Sequence, residues 1–223
     1  MSLNYGIIGN CKSAALINKD TSIDWCCLPQ FDAPSVFGKI LDSKKGGHFK
    51  INVEETTSID QKYVPNTCIL STKLFGIDGS VEVLDYMPRY QKDKGGFHAP
   101  PELVRIVQPI EGKPKIHIDY QPNLEYAKGV TKTYDKGDYL VSVYTETHYD
   151  TLFLYSNLPT HYIAHGKDFE LTDTLYFLVS YNEKLTIPTL EDIELDKERT
   201  KLYWMNWIHQ TPNVKRYKKE VLR

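Results

Sequence analysis

The sequence predicts a mainly β fold, two antiparallel sheets packed face to face as a sandwich, with helix confined to a few places. Three observations carry that prediction. Short apolar runs follow one another from Gly47 to Tyr181, several of them alternate, and turn residues separate them. Val81, Val83 and Asp85 alternate against Glu82, Leu84 and Tyr86, and Ile116, Ile118 and Tyr120 against His117 and Asp119, as strands with one buried face do. Asp78-Gly79, Glu111-Gly112-Lys113-Pro114 and Lys136-Gly137-Asp138 supply turns that tolerate positive φ. Many strands with regular turns and little helix make a sandwich.

Taken in order, the chain opens with a strand, a polar turn at Asn18-Lys19-Asp20-Thr21, and a second strand through Ile23, Trp25 and Cys27 closed by Pro29. The alternation of Trp25 with Ile23 and Cys27 predicts a core position for the tryptophan. In Phe31-Asp32-Ala33-Pro34-Ser35, Asp32 or Ser35 can cap a short helix over 36–41 whose apolar side is Val36, Phe37, Ile40 and Leu41. Strands are then expected over 49–53, 68–75, 81–86, 103–110, 116–120, 139–145, 152–155 and 174–180. Residues 92–101 contain Gly95-Gly96 and Pro100-Pro101, cannot hold a central strand, and read as an exposed loop open to proteolytic nicking.

After Pro188 the period changes. Thr189 with Asp192 resembles a helix N-terminus, and Ile193, Leu195, Leu202, Tyr203 and Trp207 predict a helix over about 190–208. Thr211-Pro212-Asn213 breaks it, and a second, basic helical run follows over 214–222. Isolated helices shorter than about 12–15 residues rarely persist in water, so this run predicts the start of a further, truncated domain. The expected organisation is a sandwich over 1–188 and a linker helix with the beginning of a second domain over 189–223. Leu202, Tyr203, Trp204 and Trp207 should leave an apolar stripe, through which copies of the chain could pair as a homo-oligomer.

The bulk composition narrows the class. The 223 residues carry a formal net charge of -2, with 41% hydrophobic and 12% aromatic residues, as ordinary globular chains do. The basic residues are spread out, and the densest group, Lys215 to Lys219 with Arg223, reads as a helix surface, so no nucleic-acid partner is expected. No apolar run approaches the roughly 20 residues that cross a bilayer, no leader pattern opens the chain, and a cytoplasmic protein without a membrane partner is expected. Cys11, Cys26, Cys27 and Cys68 lack paired spacing and read as buried free thiols.

The stretch Tyr5 to Asp42 carries a resemblance. Gly9-Asn10-Cys11, Ala14-Ala15-Leu16-Ile17, Ser22-Ile23-Asp24-Trp25-Cys26-Cys27-Leu28-Pro29 and Phe31-Asp32-Ala33-Pro34-Ser35-Val36-Phe37 fall in a fixed order. Gly46-Gly47-His48-Phe49-Lys50-Ile51, Tyr63-Val64-Pro65-Asn66-Thr67-Cys68-Ile69-Leu70, the run from Asp78 to Arg89, and Leu103-Val104-Arg105-Ile106-Val107 follow. Together these blocks resemble the start of the bacterial and archaeal glucoamylase and trehalase-like proteins of glycoside hydrolase family 15. Thr21 stands where that pattern has glycine, Gln30 where it has arginine, and Ala33 where it has serine. The resemblance implies the family's N-terminal β-sandwich and the linker into an (α/α) six-hairpin barrel. It further implies inverting hydrolysis of an α-glucoside or trehalose in the complete enzyme, without a cofactor, by glutamates of the barrel that lie beyond Arg223.

Residue chemistry agrees with a chain that does not itself break bonds. Glycoside hydrolysis needs two carboxyl groups roughly 5–9.5 Å apart, and no acidic pair stands out, so no catalytic residue is expected here. His161 and His165 have the i, i+4 spacing of zinc ligands, yet the strand-like surroundings argue against a helix and no third ligand accompanies them; no metal is expected. No phosphate-cradling glycine loop or nucleophile elbow occurs. Trp25, Phe31 and Asp32 form the candidate site: flat apolar faces and an acceptor suited to the rim of a sugar pocket or to a domain interface. A stand-alone carbohydrate-binding sandwich, or an interaction module that recruits a separate barrel chain, are the alternative readings.

Overall fold

The computed structural model describes residues 4–146 and 150–210. The first strands are β1 (Tyr5–Gly9), β2 (Ala14–Asn18), β3 (Ile23–Cys27), β4 (Ser35–Phe37), β5 (His48–Val53), β6 (Thr56–Tyr63), β7 (Leu70–Gly76) and β8 (Gly79–Tyr86). A two-residue pair follows, β9 (Tyr90–Gln91) and β10 (Phe97–His98), then β11 (Glu102–Gly112), β12 (Lys115–Gln121), β13 (Thr131–Asp135), β14 (Tyr139–Tyr144) and β15 (Thr151–Ser156). The short helix α1 (Thr160–Ala164), β16 (Phe169–Glu170), β17 (Leu175–Tyr181) and the long helix α2 (Leu190–Gln210) complete the described chain.

The fold is the expected antiparallel sandwich. One sheet runs β1-β2-β3-β5-β12-β16, with β4 attached to β3, and the other runs β13-β14-β15-β17-β11-β8-β7-β6. Ile8, Ile17, Ile23, Phe49, Ile51 and Ile118 of the first sheet meet Val81, Val83, Leu103, Val107, Phe177 and Val179 of the second in one buried core. Alternation puts the intervening residues of the second sheet, among them Leu84, Tyr86, Val104, Ile106, Tyr176 and Leu178, on its other face. That face is not left to solvent: Ile193 of α2 packs into a second apolar cluster there. The middle strands are therefore buried on both sides, where one buried face was expected.

One polar device joins the sheets. Arg105 and Asp85 are opposite residues on β11 and β8, and both side chains are fully buried. The guanidinium donates from Nε to Asp85 Oδ1 at 2.7 Å, from Nη1 to the Phe49 carbonyl at 2.7 Å, and from Nη2 to the Thr21 carbonyl. It also lies 4.8 Å from the centre of the Phe49 ring. Phe49 and the Thr21 turn belong to the first sheet, so a buried ion pair of the second sheet is completed by backbone of the first.

Several sequence blocks acquire physical reasons. Gly47 has φ +76, and a Cβ there would stand 2.6 Å from the Gln121 carbonyl oxygen; at Gly46 it would stand 2.1 Å from that of Gly38. Thr21, found where the family pattern has glycine, also has a left-handed φ of 64°, uncommon for a β-branched residue. Its hydroxyl compensates by donating to the Ile51 carbonyl at 2.6 Å and accepting from the Ile51 N–H at 3.2 Å. Tyr63 closes one edge of the sandwich, its hydroxyl accepting from the Ile7 N–H at 2.7 Å and donating to the Ile7 carbonyl at 2.9 Å.

The structure corrects five expectations. The opening strand is two, β1 and β2, because Asn10 folds the chain back between them. The helix expected over 36–41 is strand β4 followed by a turn; Ser35 and Phe37 pair with Cys27 and Cys26, burying Val36 and Phe37 as a sheet residue pair, and Gly38 N–H turns to the Gly46 carbonyl at 2.6 Å. The loop at 92–101 is not wholly exposed or irregular: Phe97–His98 pairs with Tyr90–Gln91 as the β9–β10 hairpin, Gly95 and Gly96 stand at positive φ in its tip, and Ala99 is buried. His161 does lie on a helix, α1, which His165 caps. Among the thiols, Cys26 and Cys27 are buried, but Cys68 is only partly covered and Cys11 is exposed, in the left-handed turn position that joins β1 to β2. The expected run over 214–222 lies outside the described residues.

Candidate functional site

Trp25 is not a core residue. Ile17 pairs with Ile23, but Leu16 pairs with Trp25, so Asp24 is an extra residue in β3. The bulge inverts the alternation and turns Trp25 to the half-exposed outer face, 6.3 Å from the Tyr126 ring. Asp24 is buried by its partners and accepts from Ser22, Tyr5 and Asn18. Phe31 and Asp32 lie elsewhere, on the loop after Pro29. Both are exposed, and together with Cys11, Lys12, Ala99 and Pro101 they line a cavity of about 490 Å³. The structure thus brings Phe31 and Asp32 together and leaves Trp25 off that cavity.

A hub built from separate sequence blocks holds this end of the molecule. Buried Asn10 accepts at Oδ1 from the N–H groups of Lys12 and Ser13, and its Nδ2 donates to the Pro100 carbonyl at 2.8 Å. Arg89, just after β8, donates from Nη1 to the Asn10 carbonyl at 2.7 Å. Its backbone N–H donates to Thr200 Oγ1 on α2 at 3.1 Å. The guanidinium lies between two rings, 4.5 Å from the centre of Phe97 and 5.0 Å from that of Tyr203. Arg89 therefore ties the β1–β2 turn, the β9–β10 hairpin and α2 to one another.

Helix α2 starts with a reciprocal cap, Thr189 N–H to Asp192 Oδ2 at 2.9 Å and Asp192 N–H to Thr189 Oγ1 at 3.2 Å. Tyr86 Oη donates to the Ile193 carbonyl at 2.9 Å and, with Arg89, fixes the helix on the sheet. Between α2 and the hairpin lies a groove of about 560 Å³, lined by Tyr90, Phe97, Arg199, Leu202, Tyr203 and Trp207 among others. The groove joins residues from two parts of the chain more than a hundred positions apart, which no local pattern could reveal. Of the apolar stripe expected on α2, Leu202 and Trp207 are exposed, while Tyr203 and Trp204 are half-buried against neighbouring rings.

Burial under α2 perturbs one carboxyl strongly. Glu102, at the start of β11, is pushed up to about 7, chiefly by desolvation and further by the charges of Asp196 and Glu183. A raised carboxyl is what a general acid requires, but Glu102 is buried and lines neither cavity. Each cavity holds a single carboxylate, Asp93 in the groove and Asp32 in the other. Neither offers the pair that glycoside hydrolysis uses. Among the described residues no group of three or more His, Cys, Asp or Glu could hold a metal ion, and no helix is long and apolar enough to cross a membrane.

The class defined by this geometry is a two-sheet antiparallel sandwich that carries a docked helix and surface grooves with one carboxylate each. Residues 4–170 match the family described as trehalase-like, N-terminal, and the chain belongs to that family. It is similar to a trehalase of Thermoplasma volcanium, 37% identical over 128 residues that make up 56% of this chain and 20% of that protein. Trehalase 2 of Sulfolobus acidocaldarius is 32% identical over 155 residues, 70% of this chain and 22% of that protein. A trehalase of Thermoplasma acidophilum is 40% identical over 116 residues, 50% and 19% of the two chains. The chain spans about a fifth of the length of these curated relatives.

Proposed function

We propose that this chain is the non-catalytic N-terminal sandwich of a trehalase- or glucoamylase-type enzyme of glycoside hydrolase family 15, and that it seats the (α/α) barrel in which an α-glucoside is hydrolysed with inversion. The observation that carries the proposal is the family match together with its extent, because about four fifths of the relatives' length lies outside the matched region. An uncovered apolar surface fits it. Leu195, Leu202 and Met205 are 50, 57 and 40% exposed, and at 3.6 residues per turn they fall within about 80° of one another on α2. The barrel is the occupant proposed for that stripe.

In this reading the sandwich contributes position and shape, while the acid and base belong to the barrel. Phe31 and Asp32 are proposed to stand at the rim of the barrel's pocket, the ring offering a flat apolar face and the carboxylate accepting sugar hydroxyls. A loop leaving a rigid sheet is a suitable place for such residues. The four cysteines are all free, which suits the reducing cytoplasm.

Two outcomes follow. Incubated alone with trehalose, maltose or soluble starch, the chain should release no glucose; release that disappears on substitution of Asp32 or Asp93 would overturn the proposal. The stripe should also make the free chain associate with itself, as detected by light scattering, and Leu202→Asp should reduce that association. Deleting α2 would be a poor test, because Ile193 covers the second apolar cluster and its removal exposes new surface. A wild-type chain that stays monomeric at every concentration would count against an adhesive stripe.

A further inference from the structure

We propose that the groove between α2 and the β9–β10 hairpin is a binding site for a neutral gluco-oligosaccharide, beside the surface that seats the barrel and sharing Leu202 with it. Its volume of about 560 Å³ lies in the range of small-molecule sites, roughly 300–1,000 Å³. Its walls combine the two chemistries that a pyranose requires. Phe97 and Trp207 line it and are about half exposed, which supplies aromatic surface for a sugar's C–H groups. Arg199, Asn206, Gln91 and Gln210 provide planar groups for paired hydroxyls.

The rings are held before any ligand arrives. Phe97 and Tyr203 meet edge to face at 5.8 Å, and the guanidinium of Arg89 lies against both. Tyr90 stacks on His98 at 4.6 Å and carries Arg199 over its ring at 5.2 Å. Trp207 stands edge to face with Trp204 at 6.2 Å, which in turn packs on Tyr203 at 5.1 Å. Fixed rings lose little conformational entropy on binding.

The charge balance selects the ligand class. Lys92 stands beside Asp93 on the hairpin wall, and Arg199 on the helix wall lies 4.0 Å from Asp196, so the groove has neither the cluster of free cations that a phosphate needs nor the carboxylates that a cation needs. On α2, Arg199, Tyr203, Asn206 and Gln210 fall within about 60° of one another, on the flank beside the stripe of Leu195, Leu202 and Met205. Leu202 lines the groove as well, and a saccharide there leaves Leu195 and Met205 free. The choice of glucose units among saccharides rests on the proposed function; the saccharide class rests on the groove itself.

Isothermal titration and tryptophan fluorescence with maltotriose and with trehalose, using inositol as a control polyol, test the proposal on the full chain. Saturable binding of at least one glucoside is expected, weakened at least tenfold by Trp207→Ala and by Asn206→Ala, and unchanged by Trp25→Ala. Circular dichroism of each variant establishes that it is folded. Absence of saturable binding in the wild type, equal binding of inositol, or full affinity in folded Trp207→Ala would overturn the site. No hydrolysis is measured, so such a failure leaves the glucose-release test of the proposed function standing on its own.

Discussion

Arg105→Met should cost about 3–5 kcal/mol of stability, the usual loss when one partner of a buried ion pair is removed. For a chain of this size each kcal/mol lowers the melting temperature by roughly 2–4 °C, so a fall on the order of 10 °C is expected. The substitution strands the Asp85 carboxylate in the core and leaves the Phe49 and Thr21 carbonyls without their donor. Burial already pushes the Asp85 carboxyl above its usual value, and Arg105 is what opposes that push. Without the arginine, folded Asp85 holds its proton to higher pH than the unfolded chain does. The variant's deficit should therefore shrink in acid and grow as pH rises. Combining Arg105→Met with Asp85→Leu should recover most of the loss, since an apolar pair leaves no buried charge. Thermal melts of the wild type, the single variant and the double variant check this; a single variant that melts with the wild type would mean that the pair does not join the sheets energetically.

The second large effect lies under α2. Glu102 has its carboxyl raised from 4.5 to about 7 in the folded chain. The folded state therefore binds the extra proton between those values, and stability falls as pH rises through that window, then levels off above about 7. At 1.36 kcal/mol per unit the loss is on the order of 3 kcal/mol. His98, held below its usual value chiefly by burial, gives a slope of the opposite sign below about 6.5, so the difference between wild type and Glu102→Gln is the informative quantity. The two should nearly match near pH 4.5, and Glu102→Gln should be the more stable by on the order of 3 kcal/mol at pH 8. Urea titrations at the two pH values measure it. Equal pH profiles would show that Glu102 is not held among Asp196 and Glu183 as an uncharged group.

The strands most legible in the sequence were those with a strong contrast between faces or an unmistakable turn, such as β8, β12 and β14. β6 and β13 escaped because they are polar edge strands, TTSIDQKY and TKTYD, with no apolar side to mark a period. The bulge at Asp24 misled the alternation argument for Trp25, since one added residue reverses every face beyond it. Arg105 was visible as part of a sequence block, but its place between the sheets was not, because both faces of β11 are buried and supply no polar contrast. At the candidate site, Phe31 and Asp32 could be found from their loop. The groove could not, because Tyr90 and Phe97 reach Arg199 and Trp207 only through the docking of α2.

The central claim is that this chain supplies the sandwich and not the chemistry. Its most direct test is a chimera in which the chain replaces the matched segment of Sulfolobus acidocaldarius trehalase 2, assayed for glucose release from trehalose beside the isolated chain and the remainder of that relative alone. Activity in the chimera, with none in the isolated chain, is the predicted result. Glucose release by the isolated chain, lost when one of its own carboxylates is replaced, would contradict it.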